Sequence, residues 1–197
     1  MSRLRRLSIL AICACTVATA GHNQVAIADG FPSQKEVQEI AQQSLQELVQ
    51  FSNPERGINI KYPKNWEKIE PKDTLIVCKF LTLNGLASYR VAVDQLPASI
   101  TLADYAKITG DQIKTAMDAQ HMPMTLIEEG ADELAGVPAR KSFYNLSIGG
   151  SLRTARVLQY LAVKNNRGYV FNYTADSELY DNFLPVIIEV LKSIELL

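Results

Sequence analysis

The chain alternates between two hydrophobic periods, and each change of period marks an element. Val37, Ile40, Ala41, Leu45, Leu48 and Val49 recur at helical spacing behind Ser33-Gln34-Lys35-Glu36, where Ser33 can accept from the third helical amide and Glu36 can reach back. The spacing predicts an amphipathic helix from Gln34 to Gln50 that docks its apolar stripe on its own domain. Ile58, Ile60 and Tyr62 then share one side of a short strand, which Pro63 stops because proline cannot donate to a sheet ladder. Trp66, the single tryptophan, is large enough to anchor whatever packs over the sheet.

Strand and turn signals follow as far as Lys164. Asn53-Pro54-Glu55-Arg56-Gly57 reads as a hairpin connection into Ile58, and Asn84-Gly85 joins Leu75–Leu83 to Leu86–Leu96 with the chemistry of a type I′ turn. Pro97 ends that hairpin, and Thr101-Leu102-Ala103-Asp104 starts a helix to Ala119 with Tyr105, Ile108, Ile113, Ala116 and Met117 at core spacing. Thr125–Asp132, Arg140–Leu146, Leu152–Lys164 and Tyr169–Ala175 form four consecutive antiparallel strands. Reversals at Ala135-Gly136, Gly149-Gly150 and Asn165-Asn166 separate them. Glu178 to Ile194 closes as a helix, with Phe183, Val186, Ile187, Val190 and Leu191 on its apolar face and Pro185 expected to kink it or start its regular part. Hairpin runs, each followed by a helix, indicate an α+β domain with helices packed on an antiparallel sheet.

The opening residues follow another pattern. Arg3, Arg5 and Arg6 precede an uncharged apolar stretch, Leu7 to Ala20, shorter than the roughly 20 residues of a spanning helix. Small-residue cleavage sites end it, at Ala18-Thr19-Ala20 and at the preferred Ala26-Ile27-Ala28. Residues 1–28 are thus expected to be a signal peptide, 29–50 an extension carrying the first helix, and 51–197 the main domain. An uncleaved anchor and a lipid on Cys15 are the alternatives. The compact leader points to a bacterium and to the periplasm.

Cleavage removes three arginines and no acid, moving the formal net charge from −1 to −4. A mildly acidic chain has no electrostatic footprint for nucleic acid. Cys78 stays without a disulfide partner and reads as a small buried hydrophobe.

Four stretches resemble the PsbP-like superfamily, which also takes in envelope proteins of the DcrB type and the Ran-binding Mog proteins. They are Gly57–Trp66; Val91–Pro97 followed by Thr101–Tyr105; Leu134-Ala135-Gly136-Val137-Pro138-Ala139 before Phe143-Tyr144; and Asn166–Ala175 with the closing helix. The resemblance implies a central antiparallel sheet sandwiched by helices and a non-enzymatic accessory or assembly role. The ending Ser193-Ile194-Glu195 and the extra first helix depart from the photosystem branch.

The residues themselves assemble no catalytic set and call for no cofactor. With His22 in the leader, His121 is the one imidazole, beside Met122 and Met124, too few ligands for zinc. A soft copper site there, or a calcium site at Glu128, Glu129, Asp132 and Glu133, competes with a plain loop and with charges that protect a sheet edge. Arg140, Lys141, Arg153 and Arg156 lie on neighbouring strands, where they form either a basic partner surface or cross-strand ion pairs. Tyr144, Tyr160, Tyr169, Phe171 and Tyr173 alternate as core residues. A pocket lined by Tyr160, Phe171 and Tyr173 would instead favour a small-ligand or lipid-binding protein. The leading expectation is a monomeric exported protein that contacts a protein partner at an envelope or thylakoid membrane complex, photosystem II if the source is photosynthetic. It would meet the membrane through that partner or a lipid anchor.

Overall fold

A computed structural model describes residues 31–147 and 153–197. The leader reading, with Cys13, Cys15 and His22, and the Gly149-Gly150 reversal lie outside those residues. Helix α1 (Gln34–Gln46) opens on a reciprocal cap: the Glu36 amide donates to Ser33 Oγ at 3.3 Å, and the Ser33 amide donates to a Glu36 carboxylate oxygen at 2.8 Å. The helix stops at Gln46 rather than at the expected Gln50, because Leu48–Asn53 is extended and forms strand β1. Val49 and Phe51 stand opposite Tyr62 and Ile60 of β2 (Ile58–Pro63), and this cross-strand apolar pairing outweighs one further helical turn.

Between the two strands, Asn53 Oδ1 accepts from the Arg56 amide at 3.0 Å and Gly57 reverses the chain at φ 71°. A Cβ at Gly57 would lie 2.0 Å from Arg167 Nη1, so both backbone and space demand glycine. β2 stands outside the main sheet, as the middle of a three-stranded sheet completed by β10 (Glu195–Leu196) from the other end of the chain.

The main sheet contains β3 (Glu67–Ile69), β4 (Ile76–Thr82), β5 (Ala87–Gln95), β6 (Met124–Leu134), β7 (Val137–Ser147), β8 (Thr154–Lys164) and β9 (Arg167–Asp176). Their order is β3-β4-β5-β9-β8-β7-β6, antiparallel throughout. The expected dipeptides make the tight turns, with positive φ at Asn84 and Gly85, at Ala135 and Gly136, and at Asn165 and Asn166. Leu83 is positive as well, so the first of these hairpins closes with Thr82 opposite Ala87.

Helix α2 (Leu102–Ala119) carries the chain from β5 to the far edge of the sheet. Its cap is Thr101, whose Oγ1 accepts from the Asp104 amide at 3.1 Å. Helix α3 (Tyr180–Lys192) begins at Tyr180 and includes Pro185, so its start precedes the proline.

Alternation sorts the strand side chains between two helical layers. Phe80, Tyr89, Tyr160, Phe171 and Tyr173 pack with α1, α3 and the small sheet, while Ala92, Leu146, Val157, Leu161 and Val170 pack with α2. Trp66 ties the first layer together. Its ring meets Tyr89 at 5.6 Å and Phe183 of α3 edge-on at 5.8 Å, and its Nε1 donates to Ser44 Oγ of α1 at 2.9 Å. Cys78 lies in the same layer, its thiol pushed up to about 12 by burial, which leaves it chemically inert.

Candidate interaction surface

β6 is an outer strand of the main sheet and is exposed along nearly its whole length. Its acids divide between the faces. Asp132 and Glu128 stand opposite Ala139 and Phe143 on the α3 side, and Glu129 stands opposite Ser142 on the α2 side. Glu129 is ion-paired with Arg140, whose hydrogen bond holds the carboxyl below its ordinary range. Asp132 accepts from the Glu133 amide at 2.8 Å and the Tyr160 hydroxyl at 2.9 Å, which lower it in that order. Protein donors thus take up Glu129 and Asp132, two of the four carboxylates proposed for a hard cation. His121 lies exposed just past α2 at φ 53°, beside the buried Met122. Among the described residues, no group of three or more His, Cys, Asp or Glu side chains is placed to hold a metal ion.

The basic residues also take local partners. Arg153 reaches Asp176 Oδ2 with Nη2 at 2.7 Å and Nε at 3.1 Å. Arg156 Nη1 lies 3.1 Å from Asp181 Oδ2, its guanidinium 5.7 Å from the centre of the Tyr180 ring. Arg140 faces the α2 side with Glu129, whereas Lys141 stands opposite Tyr160 on the α3 side. Three of the four residues thus each meet an acid, and the four are divided between the two faces of the sheet.

The aromatic residues proposed for a pocket, Tyr160, Phe171 and Tyr173, are engaged with other side chains of the α3 face, Tyr160 with Asp132. Phe171 stacks on Tyr89 at 5.6 Å, Tyr173 lies 4.9 Å from Tyr180, and the Tyr173 hydroxyl donates to the Tyr180 carbonyl at 2.9 Å.

Sequence reading missed the polar character of the α2 face. Asp94, 3 % exposed, accepts from the Tyr105 hydroxyl at 2.6 Å, with the Tyr105 ring seated on Gly168. Burial raises the Asp94 carboxyl, more than the tyrosine bond lowers it. Thr109, on the next turn of α2, is fully buried as well.

The register then aligns one polar residue per strand across six strands: Lys79, Arg90, Asn172, Gln159, Ser142 and Glu129 stand directly opposite one another in turn. The middle three are buried, and Gln159 Nε2 donates to Asn172 Oδ1 at 3.0 Å. Gln159 and Asn172 sit among apolar neighbours such as Val157, Leu161 and Val170 on their strands, and only the pairing register shows that the six residues share one row.

Similarity to known structures fits this architecture. The solution structure of cyanobacterial PsbP (CyanoP) from Synechocystis sp. PCC 6803 superposes with a TM-score of 0.62, covering 76% of this chain and 92% of that one. The fold is PsbP-like. At 18% sequence identity the CyanoP likeness is one of fold. The Saccharomyces cerevisiae Ran-binding protein Mog1p shares this PsbP-like fold at TM-score 0.54 and 8% identity, over 76% of this chain and 95% of its own. A Bacteroides thetaiotaomicron protein matches at TM-score 0.52 and 13% identity, over 75% of this chain and 48% of its own. No family model matches the chain, and no curated protein does.

Proposed function

We propose that this protein is a non-enzymatic, exported accessory protein that acts by protein contact at an envelope or thylakoid membrane complex. The observation that carries the reading is the PsbP-like fold, shared with CyanoP over nearly all of that chain. The leader pattern of Arg3 to Ala28 supports export. The ionisable groups support action without turnover. Asp94 and Tyr105 are enclosed under α2, and Glu129, Asp132, Arg153 and Arg156 each hold a structural partner. The one serine hydroxyl among the described residues that reaches these carboxylates, Ser142 at 3.4 Å from Glu129, is buried, and Glu129 is already held by Arg140.

The test is fractionation of the native source, followed by crosslinking in intact membranes and mass spectrometry of the crosslinked complex. A defined membrane complex containing this chain in the exported fraction is the expected result. Recovery of the chain in the cytosol, or a turnover activity abolished by Asp94→Asn with the fold intact, would overturn the reading.

A further inference from the structure

We propose that the free edge of β6 takes up an extended, basic segment of a partner protein as an added strand of the main sheet. This rests on the accessory reading and names the chemistry of its partner. β6 runs for 11 residues at the margin of the sheet, and among the described residues it pairs with β7 alone. One side of its backbone is therefore left without a ladder, the template that strand addition uses. β3, at the other margin, is 3 residues long and offers far less.

The register tells which groups face outward. Leu134 and Val137 flank the two-residue turn Ala135-Gly136, and such a closing pair exchanges both of its backbone hydrogen bonds. Bonded and unbonded pairs then alternate, so Glu133, Ala131 and Glu129 aim their amides and carbonyls away from β7. Two details agree. Pro138, which has no amide to exchange, is the residue opposite Glu133, and the Glu133 amide donates to Asp132 Oδ1 at 2.8 Å. At the far end the Ser147 amide donates to the Pro123 carbonyl at 3.0 Å, which makes Met124 and Leu126 outward positions as well. A register shift between Leu126 and Glu128 separates the two sets. The longer set, Glu129 to Glu133, is the ladder that an incoming strand shares. Access is open there, since a Cβ at Gly130 would meet nothing within 4 Å.

Charge decides the occupant. β6 carries four acids, Glu128, Glu129, Asp132 and Glu133, and no basic residue. Arg140 holds Glu129 and Tyr160 holds Asp132, whereas Glu128 and Glu133 are exposed and, among the described residues, form no ion pair. These two flank the Gly130-Ala131 centre of the ladder, one on each face of the sheet, so a Lys or Arg on an added strand can stand beside either. A second copy suits this edge poorly. Two β6 strands laid antiparallel about Gly130 would set Glu128 opposite Asp132 twice, like charges in register. The acids thus keep copies apart and admit a strand of opposite charge. Leu126 and Ile127, 48 % and 52 % exposed, lie just past the ladder and give the incoming strand an apolar end.

The probe is the end-capped peptide Thr-Lys-Val-Thr-Val-Thr-Lys-Val, its lysines spaced like Glu133 and Glu128, titrated into the isotope-labelled full chain. Amide shifts should concentrate on β6, and exchange of the Glu129 and Ala131 amides should slow far more than that of Gly130, which β7 already holds. Ala131→Pro removes an outward donor and no bond to β7, and should weaken binding by about tenfold or more. Glu133→Lys should weaken it by less, in a salt-dependent way. Glu39→Lys, the same charge change on α1, should match wild type. Unchanged thermal midpoints confirm that each variant folds.

Shifts centred elsewhere, full binding in Ala131→Pro, a Glu133→Lys effect no greater than that of Glu39→Lys, or a dimer in light scattering that Ala131→Pro dissolves would overturn the proposal. If wild type and Ala131→Pro recover the same membrane complex equally well, this edge fails and the accessory reading stands. If the peptide binds here but no membrane complex exists, the reverse holds.

Discussion

The two faces of the main sheet are built on different terms. The face under α1, α3 and the small sheet is aromatic and interlocked: Phe80, Tyr89 and Phe171 touch in sequence at 5.0 and 5.6 Å, and Trp66 bridges to both helices. Among the described residues, the opposite face carries one helix, a buried carboxyl and a polar row spanning six strands. Hydrogen bonds between buried polar groups offset their desolvation and return only a modest net gain, less than burying a large aromatic ring contributes. The first face therefore carries more of the stability, and the second sets specific polar placement.

Four perturbations test that contrast. Trp66→Ala should destabilise the domain most, by about 3–5 kcal/mol, because it removes a buried ring together with its hydrogen bond to Ser44 Oγ; urea unfolding midpoints measure it. A loss below about 1 kcal/mol would mean that the aromatic face does not dominate.

Gly168→Ala acts on the other face. Its Cβ would lie 2.4 Å from Tyr105 Cζ, and displacing that ring should cost about 1–3 kcal/mol. Amide hydrogen exchange should show the loss first in α2, with α3 still protected.

Asp94→Asn is smaller and has a defined sign. Because the folded state raises this carboxyl, its contribution is fully present below the unfolded pKa and is lost as pH rises through the folded value. The variant should therefore be the more stable protein at neutral pH, with the advantage fading in acid. Thermal midpoints across pH 3 to 8, on the order of the carboxylate range and above, would show the crossing. An advantage independent of pH would place the cause elsewhere.

The smallest effect belongs to the surface pair Arg156 and Asp181. Arg156→Ala should change stability by about 0–1 kcal/mol, with added salt narrowing the difference.

Local chemistry made much of the fold legible. Asn84-Gly85, Ala135-Gly136 and Asn165-Asn166 are positive-φ turns as their residues require, and Ser33 and Thr101 cap the helices that follow them. What stayed hidden depends on partners distant in the chain. Leu48 to Asn53 carries apolar residues that suit either period, and only pairing with β2 decides for strand. β10 is two residues long and carries no periodic signal at all; its pairing with Asn59 and Ile58 comes from the opposite end of the chain. The polar row on the α2 face was hidden for the same reason. Arg140, Arg153 and Arg156 are conspicuous in sequence because they crowd together, yet each meets an acid. Lys79 and Arg90 sit on separate strands and become neighbours only through register.

The position of β9 has a consequence for how the molecule is made. Strands β3 to β5 and β6 to β8 are two blocks of consecutive segments, and β9 alone joins them, pairing with β5 on one side and β8 on the other. β10 likewise closes a sheet that β1 and β2 began. During synthesis the earlier blocks emerge first but cannot share a common sheet until Arg167–Asp176 has left the ribosome. Such an order of assembly leaves the main sheet unclosed until the last quarter or so of synthesis, so the central pairing is the last to form rather than the first.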